Sequence, residues 1–209
     1  ANCATADVVI NVNAGNIAAD ADSVSGINGL TGAADVLDVL PGDTLNGSPA
    51  TLANVIVSVV TPAAPVTPGA PVPALDPATG LVSVPANTPA GTYVITYQIC
   101  ETLNPTNCAP ATATVDVIAA PILAVNDAPP AVNGLTGNPS VINAFANDTL
   151  NGVAVVPADI TATIVTPASN PGVALDPATG IVSVAPGTPA GTYVISYQIC
   201  ENLNPSNCS

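Results

Sequence analysis

Apolar and polar side chains alternate along several short segments of this chain, and the alternation predicts β-strands. Every second residue of TYVITYQI (92–99) is large and apolar, and TATVDVI (112–118) alternates in the same way through smaller residues. A period of two places one face of a strand on a core and the other in solvent. No stretch carries a convincing period of 3.6 residues. Further candidate strands are LANVIVSVV (52–60), DITATIV (159–165), VLDVL (36–40) and LVSV (81–84).

Turn sequences separate these candidate strands and indicate how they are arranged. DPATG, NTPAG and LNPTN each combine residues that favour tight turns. Many short strands, spaced by roughly 8–12 residues and joined by proline-containing connections, are typical of an all-β fold of the β-sandwich type. Tyr93 and Tyr193, near the start of equivalent strands, are predicted to pack in the core as tyrosine corners. The predicted core positions of the two longest strands are Tyr93, Ile95, Tyr97, Ile99, Ala113, Val115 and Val117.

The chain contains an internal repeat of about half its length. The 35-residue stretch at 74–108 recurs with few changes at 174–208, an offset of 100. The upstream motif GLTG recurs at an offset of 105. The five extra residues fall in a proline-rich segment (64–73), which its composition predicts to be a surface loop. Repeats of this length are usually separate modules in an array.

The N-terminal segment resembles the closing strand of a repeat. Residues 1–13 (ANCATADVVINVN) match the stretch that begins with Asn107 and Cys108, which align with Asn2 and Cys3, so that Val8, Ile10 and Val12 take its core-facing positions. We therefore predict that this segment completes a module other than the one that follows it.

The predicted organisation has three parts. Residues 1–14 are the closing strand of a preceding module, 15–120 form β-sandwich repeat 1, and 121–209 form repeat 2 without its own last strand. Two arrangements fit. The chain is either a window on a longer tandem array, or a subunit whose first strand completes the preceding subunit, as in donor-strand complementation. In both, the predicted partner is another copy of the same kind of module, joined head to tail.

Charge excludes several classes of partner. The chain has no Lys, Arg or His and 14 acidic residues, giving a net charge of −14. Nucleic acids and anionic membrane surfaces are therefore not expected partners, because both require cationic side chains. Charged residues make up only 7% of the chain, too few for a disordered acidic tail. No apolar run reaches the roughly 18–20 residues of a spanning helix, so no membrane insertion is predicted.

Five cysteines bear on the cellular compartment. Cys100 and Cys108 flank ETLNPTN, and Cys200 and Cys208 flank ENLNPSN, so each pair is placed to form a disulfide across a hairpin. Metal binding is the alternative, but thiolate sites usually need four Cys or His ligands and the chain has no His. Disulfides imply an oxidising, extracellular location. Cys3 occupies the repeat position of Cys108, which predicts an inter-module or intermolecular bond.

Four sequence pieces resemble a known class of repeat. AVNDAPP (124–130), AFANDTLNG (144–152), ALDPATGIVSV (174–184) and GTYVISYQIC (191–200) are similar to immunoglobulin-like or cadherin-like tandem repeats of giant bacterial surface and adhesin-type proteins. The resemblance implies an array of β-sandwich modules at the cell surface, acting as a stalk, matrix or filament. It also implies that calcium between modules has to be considered.

The calcium prediction depends on aspartates that recur in register. The family pattern NDTDPDG reads GDTLNG and NDTLNG here, so several of its carboxylates are missing. Calcium needs six to eight oxygen ligands, whereas Asp and Asn in turns also bond their own backbone. No cofactor is predicted, with calcium as the alternative. The calcium candidates are Asp22, Asp43, Asp127 and Asp148.

The residue types present predict a structural role. Without His or Lys, and with its thiols paired, the chain lacks an activated nucleophile, so we predict no catalytic residue and no enzyme. The predicted function is a subunit or repeat segment of an extracellular bacterial filament, assembled by β-strand complementation and held by disulfides. The alternative is a stalk or ligand-binding module of a large, calcium-stiffened surface adhesin.

Overall fold

The computed structural model describes all 209 residues, and its regular structure consists of β-strands. It contains no helix long and apolar enough to span a membrane. The strands are β1 (Ile17–Ala18), β2 (Asp22–Asn28), β3 (Ala33–Asp38), β4 (Thr44–Leu45), β5 (Ser48–Pro49), β6 (Val55–Thr61), β7 (Ala74–Asp76), β8 (Leu81–Val84), β9 (Gly91–Glu101), β10 (Asn104–Ile118), β11 (Ile122–Leu123), β12 (Asn138–Asn143), β13 (Thr149–Leu150), β14 (Val153–Ala154), β15 (Ile160–Thr166), β16 (Val173–Leu175), β17 (Ile181–Val184) and β18 (Ser196–Glu201).

Repeat 1 is a sandwich of a four-stranded and a three-stranded sheet. The four-stranded sheet has the order β2-β10-β9-β6, the three-stranded sheet has the order β3-β8-β7, and β1, β4 and β5 form a small third sheet. In the longest pairing, Val115 lies opposite Tyr93 and Ala113 opposite Ile95. The apolar faces predicted for β9 and β10 are both buried. They contribute to a core of 15 buried residues.

Repeat 2 reproduces this architecture with one difference. Its sheets are β12-β17-β16, the small sheet β11-β13-β14, and a sheet with only two strands, β15-β18. No sheet contains strands from both repeats, and the two repeats meet between β10 and β11. The fold is therefore all-β, with two sandwich repeats in tandem. The core of repeat 2 has only seven buried residues.

The hairpins carry the disulfides that the sequence predicts. Cys108 lies directly opposite Cys100 in the β9–β10 pairing, and the two are bonded. Cys200 and Cys208 are bonded in the same way at the end of repeat 2. Cys3 is exposed and unpaired within the chain, and its bond outside the chain stays a prediction.

Tyr93 packs in the core of repeat 1, as predicted, whereas Tyr193 is only half-buried and lies outside the core of repeat 2. The Tyr93 hydroxyl donates a hydrogen bond to the Pro89 carbonyl (2.8 Å), and Tyr193 bonds Pro189 at the same distance. Each bond ties the start of a strand to the loop before it, which is the geometry of a tyrosine corner.

The structure extends the predicted elements in two places. β10 begins at Asn104, eight residues before the predicted segment, because it pairs with β9 from the hairpin onward. β2 was not predicted. It lies parallel to β10, with Val24 opposite Val115, and a bulge before Ile27 interrupts its alternation.

Replacing both cysteines of the first disulfide by Ala should lower the free energy of unfolding by about 2.5 kcal/mol. The bond closes a loop with a sequence separation of 8, and cross-linking removes chain entropy from the unfolded state. Urea unfolding followed by circular dichroism measures the change. Cys3→Ala, at an exposed free cysteine, is the control. Equal stability of the double variant and the control would refute the expectation.

Candidate strand-docking site

In repeat 1 the core is closed by β10. This strand lies between β9, to which it is antiparallel, and β2, to which it is parallel. Ala113, Val115 and Val117 point from it into the core and are at most 4% exposed. We call the place between these two neighbours the closing-strand position.

In repeat 2 no segment of the chain occupies the closing-strand position. Ser209 and Ile199 exchange two backbone hydrogen bonds of 3.0 Å, which reproduces the pairing of Ala109 with Ile99. Beyond that pair, nothing in the chain bonds to the free edge of β18. The four-stranded sheet of repeat 1 is thus represented in repeat 2 by two strands only.

The two edges that flank this position are irregular in repeat 2. Residues 191–195 are outside any strand, although GTYVI is identical to the start of β9. Residues 127–133, the counterpart of β2 at an offset of 105, are irregular as well. Sequence reasoning missed this second edge, because Pro129 and Pro130 replace Val24 and Ser25 and remove the alternation. The one signal that could have identified this edge is an Asp at its first residue and an Asn at its last, as in β2: Asp22 and Asn28 recur as Asp127 and Asn133.

An open apolar groove marks the closing-strand position of repeat 2. It has a volume of about 420 Å³, and nine of its 12 lining residues are hydrophobic. Tyr193, Ile195 and Val182 line it and are half-buried, whereas their counterparts in repeat 1 are at most 1% exposed. Exposed apolar surface beside an unpaired strand edge favours pairing with another strand.

The N-terminal segment is solvated and forms no strand in this chain. Val8, Ile10 and Val12 are 84%, 78% and 90% exposed. The structure therefore does not bring these three predicted residues to the groove of repeat 2 within one chain. The molecule thus has an exposed segment with strand-like alternation before repeat 1 and an open strand position in repeat 2.

The recurring aspartates hold tyrosine hydroxyls and backbone amides at one end of each sandwich. In repeat 1, the Tyr97 hydroxyl donates to Asp22 Oδ2 (2.8 Å), and the backbone N–H of Asp20 donates to Asp43 Oδ1 (2.7 Å). In repeat 2, Asp148 accepts from the Val125 N–H (2.7 Å) and the Tyr197 hydroxyl (3.0 Å). These bonds fix the loop before β2, or its counterpart, against the core.

Burial perturbs the titration of this cluster. Loss of solvation raises the pKa of Asp43 to about 6, and the nearby carboxylates of Asp22 and Asp20 add to the increase. Burial likewise raises the pKa values of Asp22 and Asp127 above the ordinary range of aspartate. The pKa of the Tyr97 hydroxyl is also raised, chiefly by burial. Asp43 Oδ2 is buried without a hydrogen-bond partner.

The four calcium candidates do not converge on one point. Asp22 and Asp43 lie in repeat 1, Asp127 and Asp148 lie in repeat 2, and no three carboxylate, thiolate or imidazole side chains come together as a ligand set. Each repeat contributes two of these carboxylates, which carry four oxygens, and two of the four already accept the internal bonds described above. These side chains alone therefore do not supply the six to eight oxygens that calcium needs.

Comparison with known proteins finds similarity in structure only. No protein-family model and no curated protein matches the sequence. Drosophila N-cadherin EC1-3 is similar at 14% identity and a TM-score of 0.47, over 91% of this chain and 62% of that one. Mouse cadherin-23 EC22-24 is similar at 12% identity and 0.38, over 92% and 61%. The human desmocollin-1 ectodomain is similar at 12% identity and 0.35, over 90% and 37%. This chain spans less than two thirds of each of them.

Asp43 should make the stability of repeat 1 depend on pH. Because its folded pKa of about 6 exceeds the ordinary value of 3.8, the native state binds the proton more tightly than the unfolded chain. Its contribution to stability is full below pH 3.8 and is lost as pH rises through about 6. Asp43→Asn removes this titration, so its melting temperature relative to the parent should be higher at about pH 7.5 than at about pH 4.5.

Calorimetry at the two pH values measures this difference. Asp159→Asn removes the same charge from an exposed turn and serves as the control. A difference between Asp43→Asn and the parent that is the same at both pH values would show that Asp43 does not titrate in this range.

Proposed function

We propose that this chain is a structural unit of an extracellular bacterial filament whose modules are joined head to tail by β-strand complementation. The observation that carries the proposal is the open closing-strand position of repeat 2, together with the exposed apolar alternation of residues 5–13. The N-terminal segment of one copy supplies the strand that repeat 2 of a neighbouring copy lacks. Its bound state corresponds to β10 in repeat 1.

The pairing in repeat 1 specifies the register of the donated strand. Residue 109 corresponds to Ser209 in repeat 2 and to Ala4 in the N-terminal segment, so the donated strand continues from Thr5. By analogy with β9 and β10, Val8 lies opposite Ile195, and Ile10 lies opposite Tyr193. Val8, Ile10 and Val12 then enter the groove, and Val9 takes the outward position of Thr114.

The outward face of the donated strand carries a polar residue, Asn11, where β10 carries Asp116. Asp116 of β10 accepts a hydrogen bond of 2.6 Å from the Thr92 hydroxyl. Asn11 is its counterpart in the donated strand, and Thr192 is the counterpart of Thr92. The same bond can form across the joint.

The donated strand contributes two kinds of stabilisation. Its inward valine and isoleucine side chains leave water, and each such burial contributes about 1.5–3 kcal/mol before the cost of ordering the segment. Its backbone pairs with residues 191–198, which include the start of β18, and its other side lies beside residues 127–133. The donated strand is thus part of a fold, which makes the joint stronger than an ordinary surface contact.

The same pairing serves a tandem array or an array of separate subunits. In the first case the closing strand follows in the same polypeptide. In the second, Ala1–Ala4 correspond to positions that 206–209 already occupy, so they project beside the Cys200–Cys208 disulfide. Cys3 is then positioned near the joint, where it can bond to another chain.

Ile10→Asp should abolish assembly. The substitution places a carboxylate in the apolar groove, opposite Tyr193, where its charge has no partner. Electron microscopy and sedimentation of the purified chain compare the variant with the parent. Val9→Asp is the matched control, because Val9 takes the outward position and its carboxylate remains in water. Filaments from both variants, or from neither, would contradict the proposed register.

A calcium-stiffened stalk or ligand-binding module of a surface adhesin is the second candidate. The observation that favours it is Asp43, whose buried Oδ2 lacks a partner and lies near Asp20 and Asp22. This function requires that a chelator lower the melting temperature and that calcium restore it. A melting curve that is the same with calcium and with chelator would remove this candidate and leave the filament proposal intact.

A further inference from the structure

We propose that the joint between successive copies of this chain reproduces the joint between its own two repeats. In the joint between two copies, which we call the outer joint, the β9–β10 hairpin tip (Leu103 and Asn104) of one copy docks on Pro189 and Ala190 of the preceding copy. Leu135 of the preceding copy is then covered by repeat 1 of the copy that follows it. The inference rests on the proposed function. It adds a second contact surface to the donated strand.

The hairpin tip of repeat 2 docks on repeat 1 within the chain. Asn204 is only 8% exposed, and its Oδ1 accepts a hydrogen bond of 2.7 Å from the backbone N–H of Ala90. Its Nδ2 donates to Glu201 Oε2 (3.0 Å), which fixes the orientation of the amide. Leu203, next to it in sequence, is half-buried and lines the same crevice as Pro89.

A loop of repeat 1 completes the internal joint from the other direction. Leu30 packs against the core of repeat 2. Asn28 Nδ2 donates a hydrogen bond of 2.9 Å to Asn151 Oδ1. The internal joint thus has a hairpin contact and a loop contact. Each of them partly buries one leucine, and in each an asparagine side chain makes a hydrogen bond to the other repeat.

The same parts are present, unused, at the two ends of the chain. Leu103 is 87% exposed and Leu135 is 79% exposed, although their counterparts Leu203 and Leu30 lie at the internal joint. Asn104 is exposed where Asn204 is buried. Pro189 and Ala190, the counterparts of the docking surface for Asn204, are exposed as well. Repeat 1 carries the free hairpin tip and repeat 2 carries a free docking surface for it, which is the arrangement of an open, head-to-tail assembly.

The connection that would span the outer joint matches the internal one. Five positions separate Val117 from Ile122, and five separate Val12 from Ile17. Equivalent side chains hold both connections. Asn207 Nδ2 donates to the Ala120 carbonyl at 2.7 Å, and Asn107 Nδ2 donates at the same distance to the carbonyl of Gly15, the counterpart of Ala120. The N-terminal segment therefore leaves repeat 1 from the same anchored point at which β10 enters repeat 2.

The contacting segments carry no charge. The hairpin tip TLNPTN (102–107), the loop NGLTG (133–137) and the segment GTPAG (187–191) contain no Asp or Glu, in a chain with a net charge of −14. Two copies can therefore approach through these surfaces without placing carboxylates against one another. This supports a second copy of the chain as the occupant.

Engineered disulfides test the proposed outer contact. Asn104→Cys combined with Ala190→Cys, in a Cys3→Ser background, should link assembled chains into a ladder on a non-reducing gel and give a single band near 20.2 kDa after reduction. Asn204→Cys with Ala90→Cys reports the internal contact as a bond within one chain. Asn104→Cys with Val153→Cys, an exposed position of repeat 2 outside the segments that meet in the proposed outer joint, is the negative control and should give no ladder.

The outcomes separate this inference from the proposed function. Filaments without a ladder, in a preparation where the internal pair does bond, would overturn the hairpin contact and leave strand complementation standing. A chain that forms no filaments at all would overturn the proposed function and this inference with it. A ladder in the negative control as well would mean that the bonds form by random collision, and it would also overturn the inference.

A second measurement needs no engineered bond. Leu103→Ala should raise the concentration required for assembly by about tenfold or more, because it removes the apolar contact of the hairpin tip. Its folding is not at risk, since Leu103 is exposed in the isolated chain. Val60→Ala, at an exposed valine of β6 that lies beside the middle of β9, should leave the concentration unchanged. An unchanged assembly concentration for Leu103→Ala would contradict the inference.

Discussion

The structure depends on a strand lying at the closing-strand position of each sandwich. Where β10 occupies it, Tyr93 and Ile95 are buried, β9 extends over its full length and β2 forms on the far side. Where it is vacant, nearly the same sequence loses the first part of the strand and leaves Tyr193 and Ile195 half in water. Backbone pairing and apolar burial are thus acquired together, since one strand supplies both.

This dependence gives the molecule a direction. The exposed strand lies at the N-terminal end, and the groove lies in the second repeat, so two copies would meet through different surfaces. Such contacts continue into an open array unless a rotation closes them into a ring. The hairpin disulfides lie within single modules, and the segments 102–107, 133–137 and 187–191 carry no charge in this acidic chain, which would remove a barrier to association through them.

The sequence predicted the strands whose patterns are simple. Alternation in β9 and β10 identified their buried faces, and the spacing of Cys100 and Cys108 identified the disulfide. β2 escaped prediction because the bulge at Gly26 shifts its alternation, and its parallel pairing with β10 joins residues far apart in the chain. The joint surfaces could not be predicted either. Leu103 and Leu203 share one motif, and only the neighbouring module determines which of them is covered.

The most direct test is an electron cryomicroscopy map of the native assembled material at a resolution that traces the backbone. Strand complementation predicts a strand between residues 191–197 and 127–133 of every second repeat, with side-chain density for Ile10 against Tyr193, continuous with β1 of the next unit. Backbone density that joins Ser209 to this strand would indicate a tandem polypeptide, and a break there would indicate separate subunits. Assembled modules whose groove is vacant, or filled by a different segment, would contradict the account.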